Sequence, residues 1–342
     1  MTSLHTEKLK VTKPFLFLPV LLAFAITVPL TYVNGLNIGV DIFFHLKIAE
    51  SWASGQLGMF SNVVMNENHF PYPPLFHFML VPGVWLGIES LWTSVFQVAL
   101  LPCAVASFMF LVYKLRGVTS AFYGGLLLLG SVAFLDRVIQ PQPQALDFVL
   151  LPLAFYYCLK KLDGKFCLVS VLMVWNHGLV SLAALGGALL AQIKRRRWKV
   201  LLVFLLGSSF ILGVSAVYLY SGLGNYGARV DTNQEYLFWH DSYFVPEYAG
   251  LLSLGFVVGG WMIYQRIKGK PLSAVSKLAL LTIASTAVMI PVWADRWLQY
   301  CSIPLALLIL EGAHEANWKV QLLLKAAIIL AVAIMFMEMR LV

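Results

Sequence analysis

Apolar residues fill the chain in long runs separated by short polar or basic stretches, and this pattern repeats from one end to the other. A helix that crosses ~30 Å of hydrocarbon needs roughly 20 mostly apolar residues. The runs predict membrane spans over 14–33, 91–113, 118–135, 145–160, 166–177, 178–193, 199–220, 249–266, 274–292, 297–312 and 319–338. Alternation of apolar and polar residues over about ten positions, the mark of a membrane β-barrel, is not seen, so each span satisfies its backbone internally as a helix. The expected fold is an all-α polytopic transmembrane helix bundle of about 11 spans, forming one domain over 1–342.

The stretch 75–88, LFHFMLVPGVWLGI, is short for a span and is interrupted by Pro82 and Gly83. Were it to cross, Lys114 and Arg116 would fall outside and every later basic loop would invert, so it is read as an interfacial or re-entrant helix. Nineteen of the 24 Lys and Arg residues then face the cytoplasm with the N-terminus. Only Lys47, Arg137, Arg229, Arg296 and Arg340 remain outside. The acids sort the same way independently of the basic residues: twelve of the 16 fall on the outer side, among them Asp41, Asp136, Asp147, Asp241 and Asp295. Two long outer segments follow, 34–90 with short interfacial helices and 221–248, and a site opening outward is expected.

Composition narrows the class. Hydrophobic residues make up 60% and charged residues 12% of the chain, and the mean hydropathy is +0.81, values of an integral membrane protein. The net charge of +8 resides in short clusters between spans, which positive-inside topology explains without nucleic acid. Cys103, Cys158, Cys167 and Cys301 lie in or beside apolar runs with no CxxC spacing, the pattern of structural thiols. No small-residue cleavage site follows the first span, which reads as a retained helix. GxGxxG and GxxxxGK[ST] are both absent, so use of ATP or of a nucleotide sugar lacks support.

The chemistry-bearing residues gather on the outer side. In IGVDIFFHLKIAES, Asp41 and His45 stand i, i+4 and share one helix face if the segment is helical. Asp41 also suits a helix N-terminus. Arg137 follows Asp136, and Gln142 sits in the QPQPQ turn, with a donor and acceptor for sugar hydroxyls. His177 occupies WNHG at an outer turn. Arg296, between Trp293 and Trp297, has the geometry for bidentate phosphate contacts, with Asp295 as the competing partner. His240 precedes Asp241 in a loop dense in Tyr, Phe and Trp, which suits sugar stacking or an interfacial aromatic belt. No HExxH or DxD spacing is present, so a divalent metal is not favoured and no cofactor is expected.

Taken in order, DxxxHxxxAxxxxxG (Asp41, His45, Ala49, Gly55) and the PYPPLF turn resemble the first outer loop of the GT-C superfamily of membrane glycosyltransferases. DRVIQPQPQALDFVLLPLAFYYCLKK, WNHGLVSLAALGGALLAQIKRRRWK and ADRWLQYCSIPLALL are similar to later family segments. The superfamily includes protein O-mannosyltransferases, lipid A aminoarabinose transferases and oligosaccharyltransferase catalytic subunits. The resemblance implies a sugar donor on a polyprenyl phosphate and an outer catalytic acid, at Asp41 in this chain. It also implies phosphate contacts from Arg137 and Arg296 and a lipid, glycan or protein acceptor, while His45, Gln142, His177 and His240 are further candidates for substrate contacts by residue type and position. The chain departs from oligosaccharyltransferase subunits, with QPQPQALD where they carry paired acids and no WWDYG-like signature. Transfer of a monosaccharide by a single inverting displacement is therefore expected, in a prokaryotic cytoplasmic membrane or the endoplasmic reticulum. Two other classes stay open. The acidic set reduced to Asp41 fits a non-catalytic GT-C-like scaffold subunit, and scattered ionisable groups fit a secondary transporter or flippase, although no internal duplication is visible.

Overall fold

The computed structural model describes residues 13–34, 41–55, 63–65, 68–70, 73–213, 250–289 and 294–338. The expected outer segment 221–248, with Arg229, His240 and Asp241, lies outside them, as do the side chains of Asp41 and Arg296. The fold is all-α apart from one small hairpin. The helices are α1 (Leu18–Asn34), α2 (Asp41–Ala53), α3 (Leu75–Trp85), α4 (Glu89–Arg116), α5 (Val118–Leu129), α6 (Val132–Val138) and α7 (Pro143–Lys160). They continue with α8 (Asp163–Lys194), α9 (Trp198–Gly213), α10 (Leu254–Ile267), α11 (Ala274–Thr286), α12 (Ala294–Glu315) and α13 (Trp318–Glu338). Strands β1 (Val63–Met65) and β2 (Asn68–Phe70) pair antiparallel, with Val64 opposite His69.

Within the described residues, each predicted span overlaps a helix. Phe15–Tyr32, Glu89–Arg116 and Trp318–Met337 are each long and apolar enough to cross a membrane unaided, and the protein is a multi-pass membrane protein. The stretch α8 also has the length of a span, but it does not run straight. A continuous helix of 32 residues would be about 48 Å long. Arg197, just beyond its C-terminal end, nevertheless places Nη1 2.8 Å from Oδ2 of Asp163 at its start. Backbone torsions leave the helical region at His177 (φ −142°) and Gly178 (φ +57°), the second of which only glycine adopts readily. The stretch is thus a helical hairpin whose two arms match the predicted spans 166–177 and 178–193.

That hairpin fixes the sense of the bundle. Arg116 and Ser273 meet Glu311 at one end, where Arg195 also donates to the Cys158 carbonyl. Asn176, Ser181 and Tyr300 meet Asp147 at the other. Successive long helices therefore run up and down between a basic end and a polar end. Close approach uses small residues, as membrane helices lacking a hydrophobic driving force require. A Cβ on Gly187 would lie 2.6 Å from the backbone N of Thr282, so the second arm of α8 touches α11 backbone to backbone.

One expectation needs correction. The span predicted over 118–135 is broken: α5 ends at Leu129, and α6 departs from its axis by 77°. Gly130 ends the first helix, and the Ser131 side chain caps the second by accepting from the Phe134 N–H. The apolar run continues through the bend because both sides of it are buried in the core. Nothing in hydropathy alone distinguishes such a bend from a straight span.

The helix α3 stays at the polar end. Trp92, in the first turn of α4, donates its indole N–H to the Met79 carbonyl at 2.7 Å, and Gly83 abuts the same ring. Its partner is α2, whose Ile42, Leu46 and Ala49 pack with Phe76, Leu80 and Val81 in a small core separate from that of the bundle. Helices α2 and α3 occupy the 34–90 segment, where short interfacial helices are expected.

Candidate active site

The predicted helix begins at Asp41, the first residue of α2. Positions 42, 45, 46 and 49 recur at the helical period, so one face of α2 turns to α3 and carries His45 inward. Asp41 lies one turn earlier on that face. His45 Nδ1 stands 2.9 Å from His77 Nε2, and His77 Nδ1 stands 3.2 Å from the Pro73 carbonyl oxygen. A carbonyl only accepts, so His77 carries its proton on Nδ1, and in the neutral pair His45 donates from its own Nδ1. The basic nitrogen of His45 is then Nε2. Burial holds His45 well below the usual histidine range, helped by the neighbouring His77 and His177. Burial likewise brings His77 down to about 3 against the opposing bond to Pro73. Both rings are neutral at pH 7.

His177, at the apex of the α8 hairpin, is close enough to His45 to affect its charge. Its Nδ1 lies 3.0 Å from the Tyr300 hydroxyl, which in turn is 2.8 Å from Asp147 Oδ2. The hydroxyl has one proton; given to the carboxylate, it accepts from His177 Nδ1–H. Asp147 is fully buried and also accepts from Ser181 at 2.7 Å and from Asn176 at 2.8 Å. Asn176 donates a second time, to the Pro143 carbonyl at 2.6 Å, fastening the apex to the start of α7. Phe148 stacks on Tyr300 with centroids 5.3 Å apart. These groups link α7, both arms of α8 and α12 around one acid.

Arg137 and Gln142 occupy the bent segment between α5 and α7. Gln142 donates its amide to the Arg137 carbonyl at 3.1 Å, while its own Oε1 is buried without a hydrogen-bond partner among the described residues. Arg137 Nε is 3.6 Å from Asp136, which also accepts from Gln299 at 3.3 Å. Arg296 lies in the first turn of α12, one turn before Tyr300. Of the predicted site residues, the fold joins Gln142 to Arg137 by a hydrogen bond, and His177 adds to the lowering of the His45 value. Among the described residues, no three His, Cys, Asp or Glu side chains form a group able to hold a metal.

Sequence reasoning missed His77, Asp147, Ser181 and Tyr300 as members of this cluster. The available signal was polarity inside apolar spans: Asp147 falls within the run 145–160, and Ser181 and Tyr300 interrupt similar runs.

In fold, the chain is similar to ArnT from Cupriavidus metallidurans. Against its crystal structure bound to undecaprenyl phosphate the TM-score is 0.52 at 15% identity, covering 90% of this chain and 62% of that one. Against the apo state the TM-score is 0.50 at 16% identity, covering 87% and 61%. The chain therefore spans less than two thirds of the length of these neighbours. No protein-family model and no curated protein sequence matches it. At these identities the likeness establishes the fold, which agrees with the GT-C resemblance of the motifs.

Proposed function

We propose that this protein is an inverting GT-C-type glycosyltransferase that moves one monosaccharide, a hexose or pentose, from a polyprenyl-phosphate carrier. The acceptor is a lipid, glycan or protein at the outer membrane face, and the N-terminus is cytoplasmic. The observation that carries this reading is the ArnT-like fold over 90% of the chain. The polar end of that fold is the outer face in the orientation favoured by the distribution of Lys and Arg.

In the proposed reaction Asp41 takes the proton of the acceptor hydroxyl. The acceptor oxygen attacks the anomeric carbon from the side opposite the phosphate, and the bond from that carbon to the phosphate oxygen breaks. The electron pair leaves with the polyprenyl phosphate. Arg137 and Arg296 compensate the developing phosphate charge, with His240 as a further contact from the 221–248 segment. Gln142 offers its Oε1 to a sugar hydroxyl. His45 is a positioning residue: its bond to His77 holds α2, and with it the backbone at Asp41, against α3. Divalent metal is not required by this scheme.

A second reading, a non-catalytic GT-C-like scaffold, draws on the saturation of Asp147, which three side chains already satisfy. Purified full-length chain incubated with radiolabelled polyprenyl-phosphate sugars and a membrane extract separates the two. Labelled product together with released polyprenyl phosphate supports the enzyme. Absence of product with every carrier-linked sugar tried favours the scaffold.

A further inference from the structure

A cavity of about 650 Å³ opens between the end of α7, the second arm of α8, α10 and α11. It lies at the basic end, remote from the candidate active site: Asp147 and Cys158 are eleven residues apart on α7, roughly 16 Å along the helix. Lys194, Arg195, Arg266 and Lys277 line it from three different helical segments, beside Leu278 and Leu281. Two cations at the same end, outside the cavity, have carboxylate partners. Arg116 is neutralised by Glu311, and Arg197 by Asp163. Arg195 is held by the Cys158 carbonyl, whereas Lys194, Arg266 and Lys277 form no ion pair with a carboxylate among the described residues.

Positive-inside topology accounts for basic residues in loops. It does not account for cations from separate helices converging on one concave, leucine-walled space. Converging cations select an anionic oxygen-rich group, and the leucines select hydrocarbon attached to it. Leu190 and Leu281 on the rim are exposed, so the space is continuous with the lipid-facing surface of the bundle. We propose that this cavity binds the phosphate headgroup of an anionic phospholipid from the leaflet at the basic end, with the start of an acyl chain against the leucines. The site is independent of the sugar-transfer reading and stands or falls separately from it.

The test is native mass spectrometry of the full chain, delipidated in a neutral detergent and titrated with dioleoyl phosphatidylglycerol or dioleoyl phosphatidylcholine. Parallel samples receive inorganic phosphate as competitor. One phosphatidylglycerol should be retained about tenfold more tightly than phosphatidylcholine, and K194Q/R266Q/K277Q should abolish that preference. Circular dichroism without lipid verifies the fold of the triple variant, and the single variants K194Q and K277Q should each lower retention several-fold. The charge-preserving K277R should retain it. Equal retention of both lipids, unchanged preference in the neutralised variants, or displacement of the lipid by inorganic phosphate alone would overturn the proposal.

Discussion

The Tyr300 hydroxyl donates to Asp147 Oδ2 at 2.8 Å across 153 residues of sequence, joining α12 to α7 inside the bundle. Because the same hydroxyl accepts from His177, one tyrosine sets both the acid and the apex of the α8 hairpin. Tyr300→Phe removes that bridge while keeping the ring that stacks on Phe148. The variant should be less stable by about 1–2 kcal/mol, read as a lower midpoint in thermal unfolding of the detergent-solubilised chain.

The pair of histidines makes the α2–α3 unit sensitive to acid. Both His45 and His77 have lowered values in the folded protein, so between the unfolded value near 6.5 and the folded value of about 3 for His77 the unfolded chain holds more protons. Stability of the α2–α3 unit is full above pH ~6.5 and falls as pH drops below it, by at most about 1.4 kcal/mol per pH unit for each ring. Hydrogen exchange should show α2 amides losing protection between pH 6.5 and 5 in the wild type. The slope should fall to about half in His77→Asn, where His45 still titrates, and flatten when His45 and His77 are both replaced by Asn.

The spans were legible in the sequence because a membrane imposes a length on apolar runs. Even the hairpin at His177–Gly178 was legible, since two short runs meet at WNHG. The bend between α5 and α6 was not, because burial makes both sides of the break equally apolar. The cluster around Asp147 was hidden for a different reason. Asp147 follows the QPQPQ turn and resembled the polar edge of a loop, whereas its partners Asn176, Ser181 and Tyr300 come from distant segments that only the folded bundle brings together. His45 was recognisable, but its partner His77, in PPLFHFML, read as part of an apolar interfacial helix.

Gly187 marks where α8 and α11 meet most closely. Gly187→Ala would push a methyl group against the Thr282 backbone, which unlike a side-chain tip has no rotamer to yield. Separation of the two helices should cost about 1–3 kcal/mol. Thermal unfolding should show the loss for Gly187→Ala, whereas Gly260→Ala, where an added Cβ meets nothing within 4 Å, should be close to neutral.

At the basic end, Glu311 accepts two hydrogen bonds from Arg116 and one from Ser273. Glu311→Ala leaves Arg116 without its carboxylate, but Arg116 is 27% exposed and can turn toward water. The loss should therefore be about 1–2 kcal/mol, below that of a fully buried pair. Denaturation of Glu311→Ala and of Arg116→Met, each alone and together, should give a double-mutant coupling of that order.

The most direct measurement compares sugar transfer from labelled polyprenyl phosphates by the wild-type chain and by Asp41→Asn, at matched expression and matched thermal stability. With Asp41 as the base that takes the acceptor proton, the wild type makes labelled product and Asp41→Asn loses at least about 100-fold of it. Equal product from the two proteins would contradict that role, and no product from either would contradict the assignment of the chain as a glycosyltransferase.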